Sequence, residues 1–378
     1  MRSSEWDHRP SVNGLRYAVG AAMTVALALA SVGGGTASGK AAPPSCSAPW
    51  GMLGPDRKVI DLPTRLALYK QFHLGWVRVN ADIPPSGSKG LTSVDDIADL
   101  QRAGLRVFLT VSDPALERDN PPPDALRTFA ASLSGLLREY HPAMIAVENE
   151  ADGSTDTASP GNYLAELKVA CAVAHRASVQ CTDSGMTSKM LIALVINEHL
   201  LKGDETGANH YARYLRLWFP MHLQLDPTGD DLRAILRHAN VRRARTIVAD
   251  LRLAGADRVD IHWYVRPNGR VSPADQADLL RQVVTMMQTV SGLPIASGEV
   301  GLDKPHGDSA TADPAPFVSM LASLDQLGVA PAIIWNPGSG LFSANPNSMS
   351  LVDASGGTLP LGRAFLAQFA GTSTGACR

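Results

Sequence analysis

An excess of charge of either sign is what this 378-residue chain lacks: 34 basic residues stand against 36 acidic ones, a formal net charge of -2 at pH 7. No Lys/Arg run is longer than the pair Arg242-Arg243. A polyanion is gripped by a basic surface excess, so no nucleic-acid partner is expected. Also absent are a CxxC or Cys/His pair at zinc spacing, a Walker loop and a glycine-rich dinucleotide fingerprint, the run Gly33-Gly34-Gly35 lying in the N-terminal segment. No metal and no cofactor is therefore expected. Charged residues make up only 19% of the chain and hydrophobic ones 45%, which excludes general disorder and suffices for one large core.

The N-terminus carries Arg2, Arg9 and Arg16, then an apolar run from Tyr17 to Val32, then small residues from Gly33 to Gly39. That is the order of an export signal, with Ala28-Leu29-Ala30 as one cleavage signature. An apolar run of about 16 residues is short for a span. The expectation is a secreted or periplasmic protein, with an uncleaved N-terminal membrane anchor as the alternative. Residues 1–42 then form signal and spacer, and 43–378 a single domain.

Along that domain, short apolar runs of strand character alternate with longer stretches of helical period, the pattern of βα units around a parallel sheet. Eight strands are expected: Trp50 to Leu53, Trp76 to Asn80, Arg106 to Val111, Met144 to Glu150, Val179 to Asp183, Val259 to Tyr264, Pro294 to Glu299, and Ala332 to Asn336. Glycines at 75, 104, 255, 292 and 328 are placed to close the preceding helices. Eight βα units predict an α/β fold, a (β/α)8 TIM barrel. Between strands five and six the spacing doubles, predicting a helical insertion over 184–252 at the C-terminal mouth, with Tyr211 and Trp218 in its aromatic segment. The four cysteines form an even set in a chain with an export signal. Because a closed barrel brings its ends together, the favoured pairs are Cys46 with Cys377 and Cys171 with Cys181, free thiols being the alternative.

Two strands end in acids. Strand four closes on Glu148-Asn149-Glu150, and strand seven runs Pro294-Ile-Ala-Ser-Gly-Glu299 between glycines. Two carboxyl groups at one mouth are the parts of a double-displacement glycosidase. Strand alternation sends Glu148 and Glu150 to one face and Asn149 to the other unless the strand end kinks, so spacing alone leaves Glu148 in contention.

These motifs resemble the clan A glycoside hydrolases, retaining (β/α)8 enzymes that include cellulases, mannanases and β-xylosidases. The resemblance implies that Glu150, after Asn149, is the acid/base, that Glu299 is the nucleophile, and that Glu148 is neither. It further implies that Arg78 on strand two lies beneath the nucleophile, and that His262 and Tyr264 on strand six line the sugar site and hold Glu299. On strand eight, Trp335 before Asn336 would be the sugar platform. Independently of the resemblance, Trp335 and Trp263, with Trp218 or Tyr211 from the insertion, are candidates to stack on sugar faces, since aromatic planes complement the apolar faces of pyranose rings. Taken singly, Arg78 also reads as an ion-pair partner, His262 as a core histidine, and Trp263 or Trp335 as core packing; the order of the motifs along the chain is what favours the site. Ala151 stands where many clan members have Pro, and strand three ends Thr110-Val-Ser-Asp-Pro114 without a sugar-binding aromatic. The implied partner is a carbohydrate substrate of unspecified sugar and linkage. A transglycosylase, an idle carbohydrate-binding barrel and a metal-dependent barrel hydrolase are the rival readings.

Overall fold

A computed structural model describes residues 49–53, 61–83, 96–117, 121–152, 159–218, 232–265, 271–302, 313–335, 342–343, 351–353 and 357–369. All fall within one compact unit, Cys46–Arg378. The expected export signal and spacer, Cys46, Cys377 and Asn336 lie outside the described residues. Among the described residues no helix is long and apolar enough to cross a membrane.

Eight parallel strands carry the fold: β1 (Trp50–Leu53), β2 (Trp76–Asp82), β3 (Arg106–Ser112), β4 (Met144–Val147), β5 (Gln180–Thr182), β6 (Val259–Val265), β7 (Ile295–Leu302) and β8 (Ala332–Ile334). They pair in the order β5-β4-β3-β2-β1-β8-β7-β6. The parallel bridges Thr182 to Arg258 and Met186 to Ile261 close β6 onto β5. A barrel results, with helices between its strands. Strand alternation divides the side chains between two cores. On β3, Val107, Leu109 and Val111 face the helix layer, whereas Phe108 joins Leu53, Trp76, Met144, Ala146 and Ile333 inside the barrel. This apolar plug is the floor on which the mouth's polar residues stand. Gly51 admits it, since a Cβ there would meet Trp76 Cβ at 2.6 Å.

The helices begin and end on local signals. Helices α1 (Leu62–Gln71), α2 (Ile97–Arg102), α3 (Ala125–Tyr140) and α4 (Pro160–Arg176) precede β2 to β5 in turn. Asp61 caps α1 by accepting the Thr64 N–H, and Ser159 caps α4 with Pro160 at its first position. Helix α3 buries Phe129, Leu133 and Leu137, one side chain per turn. Of the expected closing glycines, those at 104, 255, 292 and 328 have positive φ, but Gly75 does not; His73, φ 50°, takes that left-handed position instead. The Cys171–Cys181 disulfide is formed, joining the end of α4 to β5.

Among the described residues four helices, α5 (Ser188–Leu201), α6 (Glu205–Trp218), α7 (Ala234–Arg237) and α8 (Ala239–Asp250), lie between β5 and β6. Helix α5 is buried continuously from Met190 to Asn197, so it needs cover on every side. Part of that cover is α6, through Ala208, Tyr211, Ala212 and Leu215. Tyr211 is therefore a core residue, 5% exposed, whose hydroxyl donates to Asp278 at 3.1 Å; it is not a sugar-stacking surface. The side chain of Trp218 lies outside the described residues. Helices α9 (Pro273–Ser291), α10 (Ala315–Gln326) and α11 (Pro360–Phe369) complete the outer layer.

Candidate active site

The end of β4 departs from the expected strand. Pairing stops at Val147, and the next residues turn through two left-handed conformations, Glu148 at φ 66° and Glu150 at φ 56°. Each non-glycine residue held there costs about 1–2 kcal/mol, so the surroundings must impose the turn. They do so with hydrogen bonds: Glu148 N–H to Val111 O at 2.7 Å, Glu150 N–H to Ser184 O at 3.0 Å, and Ala151 N–H to Ser184 Oγ at 2.8 Å. Arg243 Nε then donates to Ala151 O, and Thr187 to the Asp152 carboxylate. This kink separates Glu148 from Glu150, which a continuous strand would have kept on one face.

Glu148 is turned away from the mouth. It is 2% exposed, and its Oε1 accepts the Asp113 N–H at 2.8 Å. Burial first, then the charge of Glu166 on α4 and a hydrogen bond to it, push Glu148 up to about 11. It is a neutral acid inside the protein. Glu150 faces the mouth, its side chain 19% exposed, with Oε1 at 3.2 Å from His262 Nδ1.

Glu299 rises from β7 into a fixed set of donors. Arg78 Nη1 donates to its Oε1 at 2.8 Å, and the Tyr264 hydroxyl to its Oε2 at 2.5 Å. The guanidinium is itself oriented: Nε donates to Thr110 at 2.8 Å, Nη1 also to Gly298 O at 2.9 Å, and Nη2 to Asn149 Oδ1 at 2.9 Å. One buried arginine thus ties both acid-bearing strand ends together. Burial, followed by the charge of Glu299, holds Tyr264 well above the usual phenol range, so it remains a donor. Burial alone would lower His262; Glu299 at 3.5 Å, Glu150 and Asp260 outweigh it and hold the imidazole above its ordinary value.

The expected residues therefore converge, with exceptions. Arg78, Asn149, Glu150, His262, Tyr264 and Glu299 form one connected cluster, and Trp335 borders it, its ring edge-on to Tyr264 at 5.7 Å. Trp263 does not belong to it. It is fully buried among helix-facing residues, because alternation sends it outward while Asp260, His262 and Tyr264 point in. For Trp263 the core-packing alternative holds. Thr110, Ser184, Asp260 and Gly298 join the site without having been singled out; the signal for Asp260 was its position two residues before His262 on the same inward face.

Glu150, His262 and Glu299 each bring one donor atom within 4.8 Å of the other two, a spacing that a cation could bridge. The protein itself supplies positive charge at that point, through the Arg78 guanidinium and an imidazole held toward its protonated form.

No family model and no curated protein matches the chain. Solved structures do. An exo-β-1,4-mannosidase from Opitutaceae bacterium strain TAV5 superposes with a TM-score of 0.52 at 15% identity, covering 86% of this chain and 59% of its own; the chain spans less than two thirds of that protein's length. The catalytic domain of a mannanase from Streptomyces sp. SirexAA-E gives a TM-score of 0.43 at 17% identity, covering 87% and 88%. A GH10 xylanase from Bispora sp. MEY-1 gives 0.45 at 12% identity, covering 76% and 83%. What the mannosidase likeness shows is the fold, a (β/α)8 barrel.

Proposed function

We propose that this chain is an exported retaining glycoside hydrolase acting on a polysaccharide or oligosaccharide by double displacement. The observation that carries the reading is that carboxyl oxygens of Glu150 and Glu299 come within 4.8 Å of each other at one barrel mouth. Retaining pairs stand about 5–5.5 Å apart, whereas inverting pairs need about 6.5–9.5 Å to admit a water.

The two environments divide the roles. Glu299, with a guanidinium and a phenol donating to its two oxygens, is the nucleophile: it attacks the anomeric carbon as the bond to the leaving oxygen breaks. Glu150, nearer solvent and beside His262, gives that oxygen its proton, then takes a proton from the water that displaces Glu299. Asn149, whose Oδ1 accepts from Arg78 Nη2, stands beside Glu150 as the residue that would bind a sugar hydroxyl. Trp335, partly exposed, offers an aromatic face to a pyranose ring. The order of the N-terminal segment supports export.

The test is a panel of β-1,4-linked mannan, xylan and glucan oligosaccharides with aryl β-glycosides, read by proton NMR for the anomer released first. Retention, abolished in Glu299→Ala, is expected. Release of the inverted anomer refutes double displacement, transfer to sugar acceptors in preference to water identifies a transglycosylase, and binding without any bond cleavage identifies a carbohydrate-binding barrel.

A further inference from the structure

Strand β7 carries one more residue than either neighbour just before Glu299. Against β6, Asp260 pairs with Ala296 but His262 pairs with Glu299, two steps opposite three. Against β8, Ser297 pairs with Ala332 and Val300 with Ile334, again three steps opposite two. The extra residue is a β-bulge at Ser297–Gly298, a device that re-aims the following side chain and leaves backbone groups outside the ladder. Those groups need partners because Ser297 and Gly298 are buried.

The bulge is clamped from both sides. Asp260, 1% exposed, accepts the Gly298 N–H on Oδ1 at 2.5 Å, and Arg78 Nη1 donates to the Gly298 carbonyl and to Glu299 Oε1. Ser297 Oγ donates to Ile261 O at 2.6 Å. Only glycine fits at 298, since an added Cβ would stand 2.4 Å from Asp260 Oδ2. Among the described residues that second oxygen has no hydrogen-bond partner; it lies 3.9 Å from His262 Nε2, which is buried and likewise has none among them. The other face of the same imidazole, at Nδ1, meets Glu150 and Glu299. From below, Asp183 Oδ1 accepts the Asp260 N–H at 2.6 Å.

We propose that Asp260 is a positioning residue: its carboxylate pins the bulge that aims Glu299 and faces the inner nitrogen of the His262 ring that lies between the two acids. It touches no substrate. Its effect on the reaction runs through Gly298, and through His262, whose ionisation also responds to Arg78 from β2, Glu150 from the β4 kink and Glu299 from β7, with Asp183 beneath Asp260. The catalytic part of this rests on the glycosidase reading above.

Asp260→Asn and Asp260→Ala in the full chain separate the two connections. Asparagine still offers Gly298 an acceptor oxygen but no charge to His262; alanine offers neither. Activated aryl 2-deoxy-2-fluoroglycosides, followed by intact mass, measure the rate of covalent capture at Glu299, and ring-carbon NMR measures His262 titration. Capture should slow by about 100-fold in Asp260→Ala, the scale of a reacting group misplaced by about 1 Å, and recover about tenfold or more in Asp260→Asn. The His262 imidazolium should lose its proton at lower pH in Asp260→Asn than in the native protein. Capture of Asp260→Ala at the native rate, or no recovery in Asp260→Asn, overturns the proposal. Should Asp260→Ala fail to fold, an unchanged His262 titration in Asp260→Asn overturns it. If no glycoside captures the native protein, the glycosidase reading fails instead, and the titration still decides whether Asp260 governs His262.

Discussion

Replacing Glu148 with glutamine should leave activity intact and make the protein more stable at neutral pH. In the fold Glu148 is a protonated acid: its carbonyl oxygen accepts the Asp113 N–H and its hydroxyl bonds Glu166. A glutamine amide reproduces both bonds at nearly the same volume. In the unfolded chain Glu148 ionises near 4.5, whereas burial pushes it up to about 11 in the fold. A raised folded value means that its contribution is fully present below the unfolded value and is lost as pH climbs from there toward the folded value. Each pH unit in that window is about 1.36 kcal/mol, so ionisation of the unfolded chain costs the fold about 0.7 kcal/mol at pH 5 and up to about 3 kcal/mol at pH 7. Glutamine cannot ionise and escapes this penalty. Urea unfolding of both proteins at pH 5, 6, 7 and 8, extrapolated linearly, should give a stability gap in favour of Glu148→Gln that widens with pH. A gap that stays flat would mean that Glu148 is ionised in the folded protein, and the reasoning fails. Loss of turnover in Glu148→Gln comparable with that in Glu150→Gln would likewise refute the assignment of these neighbouring acids.

Glu150→Gln should slow release of an alkoxide leaving group by about 100- to 10,000-fold while sparing aryl glycosides whose phenol departs without a proton; equal losses on both substrates, in steady-state kinetics, count against an acid role. Tyr264→Phe removes one of the two donors on Glu299, a hydrogen bond to a charged group worth about 1.5–3 kcal/mol, and should lower the rate of Glu299 capture by roughly 10- to 100-fold without lowering the melting temperature by more than a few degrees. Replacing Cys171 and Cys181 together with alanine opens a loop of sequence separation 10, and should cost about 3 kcal/mol in urea unfolding by the chain-entropy relation, with the site geometry and KM unchanged.

The barrel was legible because its signals are local. Apolar runs of strand length recur eight times, and four of the five glycines expected to close helices have the positive φ that this needs; Glu150 lies just past the end of β4, whereas β7 runs on beyond Glu299 to Leu302. Alternation also contained the correct fate of Trp263, since it lies one residue from His262 and Tyr264 and must face the helices when they face the site. What could not be read is conformation imposed from elsewhere. Glutamate has no local reason to turn left-handed, and the kink that parts Glu148 from Glu150 exists because Val111, Asp113 and Ser184, each distant in sequence, supply its hydrogen bonds. Asp260 escaped for the same reason. A lone acid in a strand reads as solvated until the partner strand's extra residue shows which N–H it must accept, and that register is a property of three strands together. The strongest local signals therefore marked where the carboxyls emerge, while the groups that aim them became visible only through pairing between strands.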